Sequence, residues 1–137
     1  MPDIMDLAIS GNFTKLVAAV TVAGLVDTLK SPGPFTVFAP TDEAFDRLPL
    51  GLVERLLKDA PMSKNILLYH VVPGKIMAEE LGKLKGVKTV QGQELKIEPA
   101  KGFLHKNIRV NGNNITKTDI VASNGVCHVI DYVLLPK

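Results

Sequence analysis

The apolar residues of this chain change their spacing partway along it, and that change limits the fold more than any other feature. Phe13, Leu16, Val17 and Val20 recur at i, i+3, i+4 and i+7, which puts them on one face of a helix. Asn12 precedes them as an N-cap and Gly24 follows as a stop. Leu25 to Leu29 predicts a second short helix, ended by the breaker Ser31-Pro32-Gly33-Pro34. The pattern then switches. Phe35 to Ala39 is rich in β-forming residues and bounded by prolines, which predicts a short strand.

Helical spacing returns briefly. Thr41 can cap a helix whose first turn holds Asp42 and Glu43, where carboxylates favour the positive end of the helix dipole. Leu52, Val53, Leu56 and Leu57 predict an amphipathic helix closed by Asp59-Ala60-Pro61, and Ser63 predicts the cap of the next. From His70 onward strands dominate, interrupted by a short helix over Met77 to Leu84. Pro73-Gly74 turns the chain, and the run from Lys88 to Glu98 is expected to pair across Gly92. Asn111-Gly112 and Asn124-Gly125 are hairpin signals whose residues accept positive backbone angles. The last apolar run, Val126 to Leu135, suits one or two central strands with a bend near Asp131. Helices first and antiparallel strands later predict an α+β fold rather than alternating βαβ units.

The chain has 137 residues, which predicts one domain over 1–137, able to bury a core without staples. Its one cysteine, Cys127, permits no intrachain disulfide. The net charge of +2 names no polyanionic partner. The charge is uneven, however: Lys75, Lys83, Lys85, Lys88, Lys96, Lys101, Lys106, Arg109 and Lys117 fall in one stretch with few acids. Solvated strand edges account for such lysines, and an acidic-glycan patch is the competing reading. With no Trp, the stacking platforms of single-strand binders are not evident, and no nucleic-acid partner is expected. The first residues carry Asp3 and Asp6 where a secretion signal needs basic residues and an apolar core, so no signal peptide is expected there. The apolar stretch from Leu16 to Val26 is too short to cross a bilayer, and no transmembrane segment is expected.

Catalytic and metal chemistry finds little support. His70, His105 and His128 fall on different elements, without HxH or HExxH spacing, so neither metal nor cofactor is expected. No GxSxG occurs. Cys127 and His128 are adjacent, but neighbours on a strand point to opposite faces and are poorly placed to share a proton. A small core residue is the simpler reading of Cys127. Asn12-Phe13-Thr14 and Asn114-Ile115-Thr116 match the glycan acceptor pattern, which is frequent by chance.

Three stretches together resemble the fasciclin-like domain family: Gly33 to Phe45 (GPFTVFAPTDEAF), Leu67 to Lys75 (LLYHVVPGK) and Thr118 to Pro136 (TDIVASNGVCHVIDYVLLP). Their order and spacing agree with the family, and the resemblance extends over nearly all of the chain. It implies a wedge-shaped β-sandwich with helices packed along one side. It further implies a non-enzymatic adhesion or binding module, placed outside the cell, at its surface or in the periplasm. The expected partner is a cell-surface or matrix protein, or an acidic glycan, with the oligomeric state open. By the same resemblance Tyr69 and His70, in the Tyr-His block, and the dipeptide Asp119-Ile120 are the candidate binding residues. Each has a structural rival: His70 as a hydrogen-bonded core histidine, Asp119 as a turn cap with Ile120 entering the core. Pro2-Asp3-Ile4-Met5 resembles a longer form of the Asp-Ile motif at the wrong end of the chain and is read as coincidence. Two other functions compete, a carrier of a small apolar ligand between helices and sheet and, more remotely, a hydrolase.

Overall fold

A computed structural model describes residues 2–11, 13–81, 83–98, 108–111 and 113–135. Helices α1 (Ile4–Ser10), α2 (Thr14–Ala23) and α3 (Val26–Lys30) precede strand β1 (Phe35–Pro40). Helices α4 (Asp42–Asp46), α5 (Leu50–Leu56) and α6 (Ala60–Leu68) follow, then β2 (Val71–Pro73) and α7 (Ala78–Leu81). The remaining strands are β3 (Gly86–Lys88), β4 (Glu94–Glu98), β5 (Arg109–Val110), β6 (Asn113–Ala122) and β7 (Gly125–Ile130).

Local chemistry accounts for several helix ends. Gly24 stops α2 in the left-handed region at φ 73°, its N–H returning to Thr21 O at 3.1 Å. Thr41 accepts a hydrogen bond from Ala44 N at 3.1 Å and so caps α4. Asn12, the expected cap of α2, lies outside the described residues, as do Gly112 and His105. Helix α1 was not foreseen from apolar spacing. It is fixed instead by a reciprocal capping box between Asp3 and Asp6. Ser63 is not a cap: Asp59 takes that role by accepting from Met62 N, with Pro61 in the first turn. Ser63 is buried inside α6 and donates to Ala19 O at 2.9 Å, which lets α6 pack closely on α2. The helix expected over Met77 to Leu84 is shorter, Ala78–Leu81.

The strands run in the order β2-β1-β7-β6-β5-β4-β3 among the described residues. Neighbouring pairs are antiparallel, as expected, except that β1 and β7 run parallel from Phe35↔Gly125 to Pro40↔Ile130. Alternation sends Val37, Ala39 and Cys127 to the helices and Thr36, Phe38, His128 and Ile130 to the other face. Two cores result. The first lies between the helices and β1–β7. The second holds Phe38, Leu81, Leu95, Val110 and Ile130, where β3, β4 and β5 fold back over the other half, giving a sandwich with helices on one side. Bonds from Val90 N to Val71 O (2.8 Å) and Gln91 N to Leu68 O (3.3 Å) close that fold.

The β6–β7 turn corrects one expectation. Its central residues are Ser123 and Asn124, and Asn124 is not among the residues with positive φ. Asn124 is buried, and its amide accepts from Ile4 N (3.0 Å) while donating to Leu29 O (2.6 Å) and Ser31 O (2.8 Å). One side chain thus ties α1 and the end of α3 to the sheet. Asn124→Ala would leave a buried donor and two acceptors without this partner, and a loss of about 2 kcal/mol is expected by urea unfolding. An unchanged midpoint would contradict that role.

Candidate functional site

Tyr69 and His70 lie where α6 hands over to β2, and both are buried, 3% and 1% exposed. The Tyr69 ring enters the second core, while its hydroxyl donates to Glu94 O (3.3 Å) and accepts from Asn111 Nδ2 (2.9 Å). Asn111 in turn accepts from Lys96 N at 2.7 Å, in a left-handed turn residue with φ 51°. Tyr69 therefore fixes β4 and the β5–β6 turn from inside.

His70 ties the last turn of α6 to the segment that follows β7. Its Nδ1 lies 2.8 Å from Ile66 O, and its Nε2 accepts from Leu134 N at 2.8 Å. An acceptor at Nε2 requires the proton on Nδ1, so the ring is neutral with both nitrogens satisfied. Burial outweighs the bond to Ile66 O and pulls its pKa down to about 4. Neither Tyr69 nor His70 can meet a partner without opening the core.

Asp119 and Ile120 occupy a different environment. The β6–β7 register slips between Ile115 and Lys117 and again between Lys117 and Ile120, so Asp119 stands on a bulge. Asp119 is exposed at φ 58°, a left-handed conformation that Asp tolerates better than most residues. Ile120 is half-buried and packs on the first core, opposite Cys127. Its expected entry into the core is thus partial, and Asp119 sits at the bulge.

One residue missed in the sequence supports the bulge. His128 is wholly buried beneath it, Nε2 lying 2.8 Å from Ile76 O while Nδ1 accepts from Asp119 N at 3.2 Å. Its ring also meets Phe38, centroids 5.8 Å apart. Burial pulls the His128 pKa down, against the opposing influence of the bond to Ile76 O and the Asp119 charge. A neutral imidazole thus braces an exposed carboxylate from within. The signal was alternation: with Cys127 facing the helices, His128 must face the other way. Cys127 does face the first core, and burial pushes its thiol up to about 12, far from a nucleophile's range.

Among the described residues, no three His, Cys, Asp or Glu side chains converge as a metal site. Among them too, no helix is long and apolar enough to cross a membrane. The basic stretch is exposed at Lys83, Lys85, Lys88, Lys96 and Arg109, with Lys101 and Lys106 outside the described residues. Register places Glu94 opposite Lys88 and Glu98 opposite Arg109, which interleaves acids with the bases.

A family profile described as Fasciclin domain matches residues 11–136. An uncharacterized protein of Synechocystis is 48% identical over 136 residues, covering 98% of each chain. The cell surface glycolipoprotein MPB83 of Mycobacterium bovis is 35% identical over 112 residues, covering 82% of this chain and 48% of that one. Among solved structures, a FAS1 domain pair from the insect cell adhesion molecule Fasciclin I superposes with a TM-score of 0.86 at 22% identity. That match covers 98% of this chain and 51% of the other, and it shows the fold. The chain belongs to the fasciclin domain family.

Proposed function

We propose that the chain is a non-enzymatic adhesion module that meets a cell-surface or matrix protein through the β6 bulge at Asp119 and Ile120. Tyr69 and His70 serve the same function as positioning residues, holding the frame that carries the bulge. The observation that carries this reading is the exposed, left-handed Asp119 braced by buried His128. An exposed carboxylate beside a half-buried apolar side chain offers a partner one charged and one apolar contact. Family membership and the likeness to a protein named as a cell adhesion molecule support the class of function, and a relative named as a cell surface protein supports a place outside the cell. Acids interleaved with bases on β3–β5 favour a protein partner over an acidic glycan. No cofactor enters this reading.

The clean test is Asp119→Asn, which keeps the side-chain size and the tolerance of left-handed backbone while removing the charge. Immobilised parent protein is expected to hold cells or matrix protein, and Asp119→Asn to weaken that at least about tenfold with an unchanged melting temperature, as loss of a contact worth over ~1 kcal/mol would. A parent that never adheres would sink the function. An Asp119→Asn form that adheres as well as the parent would sink the site.

A further inference from the structure

The helical layer does not fill the space above the sheet. Between α1 and α2 on one side and β1, β7 and the β6 bulge on the other lies a cavity of about 470 Å³. Protein interiors are close-packed, and voids larger than a water are few. This one is in the range of ligand sites, ~300–1,000 Å³, and about three times the ~150 Å³ of an apolar cavity that stays dry and takes benzene. Small residues leave it open, since Ala8 of α1 and Ala39 and Cys127 of the sheet are part of its wall, where larger side chains would fill it. Val17, Val20 and Ile120 complete a largely apolar lining. His70 also borders the space, but both its ring nitrogens are engaged elsewhere and it offers a ligand no hydrogen bond.

Two charged residues reach the lining, Asp42 and Lys117. They are not equivalent. The Asp42 carboxylate accepts from Thr14 Oγ1 (2.5 Å) and Lys15 N (2.9 Å), and so is turned onto the start of α2. Lys117 is exposed on β6 and makes no ion pair among the described residues. We infer that this cavity binds a single apolar chain ending in an anionic group, a long-chain carboxylate of roughly ten to eighteen carbons by scaling from benzene, with Lys117 at its head. An apolar tail restores the dispersion contacts that the empty wall lacks, and the cation fixes which end faces water. This goes beyond adhesion and does not depend on it.

The test uses the lipid-stripped protein and cis-parinaric acid, a fluorescent eighteen-carbon carboxylate, displaced by palmitate. One saturable site is expected. Ala8→Phe fills the cavity and should weaken binding at least about tenfold while leaving the melting temperature equal or higher. Val17→Phe does the same from the neighbouring helix α2, should Ala8→Phe fail to fold. Lys117→Glu should weaken the acid about tenfold yet leave its methyl ester unchanged, and occupancy should slow alkylation of Cys127. No saturable binding, or binding that survives a folded cavity-filling variant, would overturn the site. Equal loss of acid and ester in Lys117→Glu would overturn the head-group assignment.

Discussion

Gly125→Ala is expected to abolish the fold, with a loss above about 4 kcal/mol and no soluble protein at growth temperature. Gly125 opens β7 directly opposite Phe35 of the parallel strand β1. A Cβ built there falls 1.9 Å from Phe35 O and 2.8 Å from Phe35 C, and the neighbour is backbone that cannot rotate away. The positive φ of 158° adds to the cost for any L side chain. Relief would require β1 and β7 to part, and those two central strands divide the two cores. Gly24→Ala is the comparison: its φ is 73°, but a Cβ there meets nothing within 4 Å. It should cost only about 1 kcal/mol from left-handed strain. Soluble expression and thermal melting of the two variants decide the matter. A Gly125→Ala protein as stable as Gly24→Ala would contradict the close approach.

The second large effect is acid lability with a definite sign. His70 titrates at about 4 when folded against an ordinary value of 6.5. Between those values the unfolded chain binds more protons than the folded one, so stability rises with pH. The contribution is fully present above 6.5 and is lost as the pH falls to about 4, a change of about 3 kcal/mol. His128, lowered by the same cause, acts in the same direction. Urea midpoints measured from about pH 7 to pH 4 should fall chiefly in that window. His70→Gln should start lower at pH 7, since the bonds to Ile66 O and Leu134 N are disturbed, and then decline less steeply. A stability flat across the window would mean that the imidazole is not buried neutral.

Local rules made part of this structure legible. Thr41 was readable as a cap and Gly24 as a stop because each acts on backbone groups within a turn of itself. The strand at Phe35 to Ala39 and the opposite faces of Cys127 and His128 followed from alternation. Features that depend on distant neighbours were not readable. The parallel pairing of β1 with β7 joins residues far apart in the chain, Phe35 with Gly125 at its start, and nothing local marks its direction. Asn124 looked like a turn residue needing positive φ, but its amide is occupied by α1 and the end of α3. The same holds at the candidate site. Family resemblance named Tyr69, His70, Asp119 and Ile120, but only the folded structure separates two buried side chains from a bulge. The bulge depends on two register slips and on His128, nine residues along.

That separation is the claim on which the functional reading turns, and adhesion measured against folded fraction tests it most directly. For His70→Gln, adhesion should fall only in proportion to the unfolded population and return to the parent level wherever cooling or neutral pH refolds the chain. A His70→Gln protein that is fully folded and still fails to adhere would contradict it, because His70 would then be touching the partner rather than holding the frame.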